Sequence, residues 1–357
     1  MTTIAVLAGD GIGPEVTREA VRVLRVVRPD VELVEAPVGA AAIRVAGSSL
    51  PDATRSLCDR SAAILFGAVG SAEYDHLPFA ERPEHALFTL RHEYDLFANI
   101  RPVRVFPGLE RASSLLPELV VGLDLVVVRE LTSGIYFGLP KEQRVALDGV
   151  EEAVDTMFYR APEIERIAHV AFSFARHRRK RVTSVDKQNI LATSDLWRRT
   201  VARVSLDYPD VELAHLLVDN AAMQLVRRPR EFDVILTENM FGDILSDEAA
   251  MLTGSIGNLP SASLGSRGST GKQFGMYEPI SGTAPDIAGK GIANPTAAIL
   301  SAAMLLRHSL ADESAAKRIE DSVATAFSQG ARTTELAIRG EVALGTREFA
   351  DMVISRL

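Results

Sequence analysis

Asp243 and Asp247 stand four residues apart in TENMFGDILSDEAAML (237–252), directly after the apolar run FDVIL. On a helix, that spacing puts both carboxylates on one face, about 6 Å apart. Like charges so placed repel, by a few tenths of a kcal/mol, unless something positive lies between them. Their hard oxygens suit Mg2+ or Mn2+. The plain structural alternative is an acidic first turn that favours the helix dipole, with Asp243 as its cap. Three arginines, Arg91, Arg101 and Arg129, each stand beside apolar residues in LRHEYDLFANIRPVRVF and VVREL. A guanidinium stays charged and offers a fixed fork of donors, so three of them suit a substrate with more than one carboxylate. Surface ion pairs are the alternative. Tyr136 follows a Ser-Gly pair in ELTSGIYFGLP, and Lys187 ends the strand-like SVDK. A tyrosine whose pKa is lowered by positive neighbours can pass a proton. A buried tyrosine more often only satisfies a hydrogen bond, and a lysine at a strand end can be half of a salt bridge.

Two glycine-rich stretches remain. GDGIGPE (9–15) supplies Gly9, Gly11 and Gly13, but Pro14 breaks the spacing of a dinucleotide fingerprint. Only Glu32 and Glu35 stand as weak candidates for a ribose-binding acid, so the standard Rossmann reading is rejected. A tight strand-to-helix turn explains these glycines. EPISGTAPDIAGKGIANP (278–295), punctuated by glycine and proline, leads into a helix. Such a loop offers backbone amides to phosphates and polar side chains to a ribose.

The elements that must position these residues alternate along the chain. TIAVLA (3–8), AAILFGAVG (62–70), LDLVVVRE (123–130), RVTSVDK (181–187), VELAHLLVD (211–219) and FDVILTE (232–238) read as strands. Near-continuous apolar runs indicate strands buried on both faces, which means an α/β fold with a largely parallel sheet. Pro14 opens a helix whose Val16, Ala20, Val23, Leu24 and Val27 recur at helical spacing. The last sixty or so residues read mainly as helix. Asp10, Arg129 with Glu130, Asp186 with Lys187, Asp219 with Asn220, and Glu238 with Asn239 all follow strands. The loops at carboxyl ends of parallel strands are where such folds build sites, and five polar ends favour a convergent one.

Composition bounds the function classes. At 357 residues the chain fits two medium domains or one large α/β unit. A net charge of -8 argues against nucleic acid, whose phosphates need a positive surface. The one basic run, RHRRKR (176–181), reads as a solvated helix end. A single cysteine, Cys58, excludes an internal disulfide and a thiolate metal cluster. No basic leader precedes the first strand and no apolar run reaches membrane-spanning length, so a cytoplasmic location is expected.

Several segments together carry a resemblance. GDGIGPEV, LFANIRPV, VRELTSGIYFG, SVDKQN, VDNAAMQLV, TENMFGDILSDEAAMLTGS and GTAPDIAGKGIANP resemble, in order, the signature segments of the β-decarboxylating dehydrogenases, the isocitrate/isopropylmalate dehydrogenase family. The resemblance runs from about residue 3 to the C-terminus and is strongest to the members acting on 3-isopropylmalate.

It implies a two-domain fold, with a cofactor-binding domain from residues 1–97 and 249–357. Residues 98–248 would form the substrate, metal and dimerisation domain. A cleft would lie between the domains. Two chains would pair through the middle domain, with Lys187 and Asp219 entering the partner's site. Asp243 and Asp247, with Asp219 from the partner chain, would hold Mg2+ or Mn2+. Lys187, acting with Asp219, would take the proton of the C2 hydroxyl. Hydride would pass to NAD, CO2 would depart, and Tyr136 would protonate C3. Arg91, Arg101 and Arg129 would hold the carboxylates, and Leu87 and Phe88 would line the pocket for the C3 substituent. The cofactor would meet Ser281, Gly282, Thr283, Ala284, Asp286 and Ile287. Asp286 would sit on the adenine ribose, where its charge disfavours a 2′-phosphate, Asn294 on the adenine and Glu84 on the nicotinamide ribose. The reaction implied is oxidative decarboxylation of a 3-alkylmalate, most simply 3-isopropylmalate to 2-oxoisocaproate in leucine biosynthesis.

The chain departs from the family pattern at two places. Ser281 stands where relatives usually have histidine, which bears on cofactor affinity. Phe88 stands where an aliphatic residue is common, which opens a larger methylthioalkyl or benzyl substituent as an alternative substrate. Tartrate or malate, isocitrate and homoisocitrate are further alternatives, though apolar Leu87 and Phe88 argue against a third carboxylate. A non-catalytic regulatory subunit would have lost part of the polar set. A phosphoryl transferase would need a phosphate loop that AGKG (288–291) does not supply.

Overall fold

A computed structural model of the chain describes residues 2–267 and 272–357. Strands run at Thr2–Gly9 (β1), Val31–Glu35 (β2), Ala63–Ala68 (β3), Ala98–Arg104 (β4), Asp124–Glu130 (β5), Lys141–Val145 (β6) and Glu151–Asp155 (β7). Further strands are Arg181–Asp186 (β8), Glu212–Leu217 (β9), Val234–Thr237 (β10), Pro260–Arg267 (β11) and Gln273–Pro279 (β12). Helices run at Gly13–Val27 (α1), Ala40–Ala46 (α2), Asp52–Arg60 (α3), His85–Glu93 (α4), Pro117–Val120 (α5) and Ala161–Arg176 (α6). The rest are Ala192–Ser205 (α7), Val218–Arg227 (α8), Asn239–Met251 (α9), Thr296–His308 (α10), Glu313–Ser328 (α11) and Thr346–Ile354 (α12).

The chain forms two compact units. One comprises Met1–Leu96, Pro102–Leu123 and Ala250–Leu357, the other Phe97–Arg101 and Asp124–Ala249. In the first, strands lie in the order β2-β1-β3-β12-β11, parallel except for the antiparallel pair β11 and β12. Every residue of β3 is buried, as expected of a strand covered on both faces. Helix α10 is apolar on all sides and buried from Thr296 to Leu306, which makes it the centre of this unit's core. On α1 the periodic set Val16, Ala20, Val23, Leu24 and Val27 is buried. Cys58, on α3, is 0% exposed, and burial pushes its thiol up to about 12.

The turn from β1 to α1 depends on its glycines. Gly9 and Gly11 have φ of +73° and +57°, in the left-handed region that glycine enters freely. A Cβ on Gly11 would stand 2.0 Å from the Thr283 carbonyl oxygen, so only glycine fits beside the later loop. The chain adds a hydrogen bond there, from the Ile12 amide to Thr283 O at 2.8 Å. Asp10 is spent on structure, since its carboxylate accepts from the amides of Ala40, Ala41 and Gly70 at 2.8–3.0 Å.

In the second unit the order is β4-β5-β10-β8-β9, with β5, β10, β8 and β9 parallel. The basic run after α6 is more than a solvated helix end. Arg178 pairs with Asp233, which is 1% exposed, at 2.9 Å and with Asp124 at 2.7 Å. Arg176 meets Asp210 and Arg181 meets Glu212. An antiparallel hairpin, β6 with β7, stands exposed and has no counterpart among the strands expected from sequence. Strands β2, β4, β11 and β12 were also not foreseen.

Candidate active site

Strand β10 ends at Thr237 and α9 begins two residues later, at Asn239. Glu238 fills the gap and caps the helix, accepting from the amides of Met240 at 3.0 Å and Phe241 at 2.7 Å. This corrects the expectation that Asp243 could be the cap. Asp243 lies a full turn further in, past the amides that a cap must reach. Its carboxylate faces other groups.

Three side chains converge on it. Arg129 Nη1 stands 2.5 Å from Asp243 Oδ1, Arg101 Nη1 3.4 Å from the same oxygen, and the Tyr136 hydroxyl 3.1 Å from Oδ2. Asp247 lies one turn on, 3.6 Å from Arg101 Nη1. Both arginines are buried and held from behind. Arg101 donates to Asn99 Oδ1 at 2.7 Å and Ser246 Oγ at 2.6 Å. Arg129 donates twice to Asn239 Oδ1, at 3.1 and 2.7 Å. A planar guanidinium fixed at two or three nitrogens loses little further freedom on binding an anion.

Burial pushes the Asp247 carboxyl up, and Asp243 adds to the push while Arg101 opposes it. The Tyr136 phenol is also raised, first by burial and then by Asp243, with Arg129 acting the other way. The sequence reading required positive neighbours to lower this pKa. Among the groups present the carboxylate and burial outweigh the guanidinium. A phenol so placed holds its proton at neutral pH and is set up to donate it.

Tyr136 sits in a short helical turn, Gly134–Tyr136. The turn follows Glu130, whose carboxylate accepts from the Thr132 and Ser133 amides, both at 2.9 Å. Lys187 and Asp219 form a separate ion pair at 2.5 Å, which lowers the Asp219 carboxyl. No group of three or more His, Cys, Asp or Glu side chains able to hold a metal occurs among the described residues. Asp243 and Asp247 therefore offer the right kind of oxygen, on one helix face, but not a complete set from one chain.

The remaining expected residues lie in the other unit. Leu87, Phe88 and Arg91 are on α4, with Glu84 at its N-cap position. Arg91 is buried and donates through Nη2 to Glu278 at 2.9 Å, while its Nε is buried without a partner. The Phe88 ring meets Phe79 edge-on at 5.2 Å. Glu84 faces Gly70, where a Cβ would come within 2.9 Å of its Oε1. In the 281–287 loop, Gly282 and Asp286 are exposed, Ser281, Thr283 and Ile287 half-buried, and Ala284 has a φ of +38°. Asn294 is buried, donating to Asn258 Oδ1 at 2.9 Å and accepting from the Thr296 amide at 3.0 Å.

A family model described as isocitrate/isopropylmalate dehydrogenase matches residues 3–353. The chain belongs to the isocitrate/isopropylmalate dehydrogenase family. It is 55% identical to a 3-isopropylmalate dehydrogenase of Bordetella avium and 56% identical to one of Burkholderia pseudomallei, each over 99% of both chains. Among solved structures it is similar to an isocitrate dehydrogenase from Methylococcus capsulatus. The TM-score there is 0.88 at 34% identity, over 100% of this chain and 99% of the other. A beta-decarboxylating dehydrogenase from Thermococcus kodakarensis matches with a TM-score of 0.80 at 36% identity, over 100% and 96%.

For this family member, reading along the sequence missed the residues that hold the site from behind. Asn239 and Ser246 touch the arginines, and Glu278 engages Arg91. Gly242 leaves room for the Arg129 stem, because a Cβ there would stand 2.7 Å from Arg129 Cγ. Of these, the sequence singles out only Asn239, with Glu238, as a polar residue following a buried strand.

Proposed function

We propose that the chain catalyses the NAD-dependent, divalent-metal-dependent oxidative decarboxylation of a 3-alkylmalate, in the first instance 3-isopropylmalate. The observation that carries this reading is the convergence of Arg129, Arg101 and Tyr136 on Asp243. Two fixed guanidinium groups beside two acids form a site for carboxylate and cation together, with a protonated phenol at hand. The names of the relatives, 3-isopropylmalate dehydrogenase at 55% and 56% identity, support the substrate.

Asp243 and Asp247 would contribute oxygens to Mg2+ or Mn2+. Bound there, the cation would offset the charge of the pair and make a coordinated hydroxyl more acidic, while NAD would accept the hydride. Arg101 and Arg129 orient the substrate carboxylates, and the unpartnered Nε of Arg91 leaves that group a donor to spare. Lys187, acting with Asp219, would take the C2 hydroxyl proton once its own ammonium proton has been given up to Asp219 or to solvent. Once hydride has left C2, the ketone lies β to a carboxylate and CO2 departs. Tyr136 then gives its proton to C3.

The domain assignment follows the same reading. NAD would be held by the unit carrying the 281–287 loop, through Ser281, Gly282, Thr283, Ala284, Asp286 and Ile287, with Asn294 and Glu84. The other unit would carry metal and dimerisation. A second copy of the chain would complete the carboxylate set with its Asp219 and bring its Lys187. Two observations support this. Among the described residues no group of three or more acidic, histidine or cysteine side chains able to hold a metal occurs within one chain. Apolar Met223 and Val226 on α8 and Ile244 on α9 are 59%, 47% and 59% exposed, which leaves these two helices with apolar side chains that a partner could cover. The enzyme would act in the cytoplasm.

The test is NADH formation with Mg2+ on malates carrying isopropyl, methylthioalkyl, benzyl, hydroxyl or no substituent at C3. The reading expects kcat/KM to peak at isopropyl. A peak at a larger group would make Phe88, packed on Phe79, a specificity residue. Activity on none of them would overturn the reading.

A further inference from the structure

The hydroxyl of Tyr159, buried to 6% exposure, lies at the meeting point of two loops that the reaction does not itself explain. It accepts a hydrogen bond from the Asn239 amide at 3.0 Å, at the start of α9. Glu130 Oε2 and Glu238 Oε2 stand 3.3 and 3.4 Å from it, as alternative acceptors for its one proton. Each of these acids holds a different piece of the site. Glu238 caps α9, the helix that bears Asp243 and Asp247. Glu130 gathers the amides of Thr132 and Ser133, which lead into the Tyr136 turn.

The Tyr136 turn is also fastened to Tyr159 directly. The Gly134 amide donates to the Phe158 carbonyl at 3.0 Å. Gly134 has a φ of +81°, and a Cβ there would come within 2.7 Å of the Tyr159 hydroxyl. Asn239, whose amide Tyr159 receives, grips Arg129 with its carboxamide oxygen and donates to the Ser133 carbonyl at 3.0 Å. The small cleft bounded by Met157, Tyr159, Trp197 and Glu238 has no room for a water. No solvent molecule can take over the hydroxyl's bonds there.

We propose that Tyr159 is a positioning residue: its hydroxyl, with Glu130 and Glu238, locks the turn carrying the proton donor Tyr136 to the helix carrying the metal-binding acids. The proposal rests on the functional reading for its catalytic consequence, but not for its geometry. It requires that proton donor and carboxylates lose their mutual placement when one oxygen atom is removed, although neither is touched by it.

Tyr159→Phe removes that oxygen and keeps the ring against Trp197. Tyr208→Phe is the control, since Tyr208 is also buried and bonds His169 Nδ1 at 3.0 Å, away from these loops. We expect Y159F to bind Mn2+ about tenfold more weakly, the lower end of the loss that follows removal of a group behind a metal ligand. We also expect kcat to fall by about tenfold with KM for the malate nearly unchanged, from misplacement of Tyr136. Amide exchange at residues 239–241 should quicken, and Y208F should change none of these. Y159F matching Y208F in Mn2+ affinity, kcat and exchange would overturn the proposal. Should Y159F fail to fold, Glu130→Gln is read in the same three ways. If the wild-type chain neither binds Mn2+ nor oxidises any 3-substituted malate, the functional reading has failed, and exchange at 239–241 alone decides the lock.

Discussion

Gly242 lies directly beneath the stem of Arg129, with its missing Cβ 2.7 Å from Cγ and 2.9 Å from Cβ of that residue. The arginine reaches Asp243 only because α9 offers it a bare backbone at this point. A methyl group here meets the rigid, buried part of the side chain rather than its flexible end. Gly242→Ala is therefore expected to move the guanidinium, lower kcat/KM by about a hundredfold and cost about 1–3 kcal/mol of stability from overpacking. Steady-state kinetics and urea unfolding would check both. Unchanged kinetics would mean that the Arg129 position is not needed for activity.

Tyr136→Phe should separate the two halves of the reaction. The phenol holds its proton at neutral pH at its ordinary pKa, and burial and then Asp243 raise that pKa further. In the proposed mechanism hydride transfer needs no proton from it, whereas protonation of C3 does. Single-turnover NADH formation should survive within a few-fold, and formation of the 2-oxo acid should fall by about 10²–10⁴. Equal loss in both steps would remove Tyr136 from the acid role.

The proposal that two chains share each site makes an arithmetic prediction. Lys187→Ala and Asp243→Asn should each be inactive as pure dimers. In a refolded equimolar mixture with random pairing, half the dimers are mixed, and in each of these one of the two sites is intact, so about a quarter of wild-type activity should return. No recovery would mean that Lys187 serves the Asp243 of its own chain.

Asp312 gives a prediction about stability and pH. Its Oδ1 accepts the Ala315 amide at 3.0 Å and caps α11, and this bond is the chief cause of a carboxyl pKa held below its ordinary 3.8. A carboxyl with a folded value below its unfolded one stabilises the fold above the unfolded pKa and loses that contribution as pH falls through the folded value. Asp312→Ala should cost about 1 kcal/mol at pH 7, and the difference from wild type should shrink below about pH 4. Thermal unfolding of both chains across that range would show it.

Much of this was legible in the residues. Strands β1, β3, β5, β8, β9 and β10 announce themselves as apolar runs. Asp243, Asp247, Arg101 and Arg129 stand out as charges beside apolar surroundings. What escaped has physical causes. The hairpin strands KEQRV and EEAVD are charged and exposed, so no burial pattern marks them. In PSASLGSR small polar residues replace the β-branched ones by which a strand is recognised. The cap of α9 depends on where the helix starts, which four acids in one segment leave open. The Arg91 partner is 187 residues away in the chain, and no local pattern encodes such a pairing.

The sole cysteine has a practical consequence. Cys58 is sealed in the core with its thiol pushed up to about 12, so only about one molecule in 10⁵ would carry a thiolate at neutral pH even if a reagent could reach it. Thiol-directed alkylating agents should leave the native protein untouched. A second cysteine introduced at an open position, such as Leu147 at the exposed hairpin tip, would then take a fluorophore or spin label alone, with no background to engineer away.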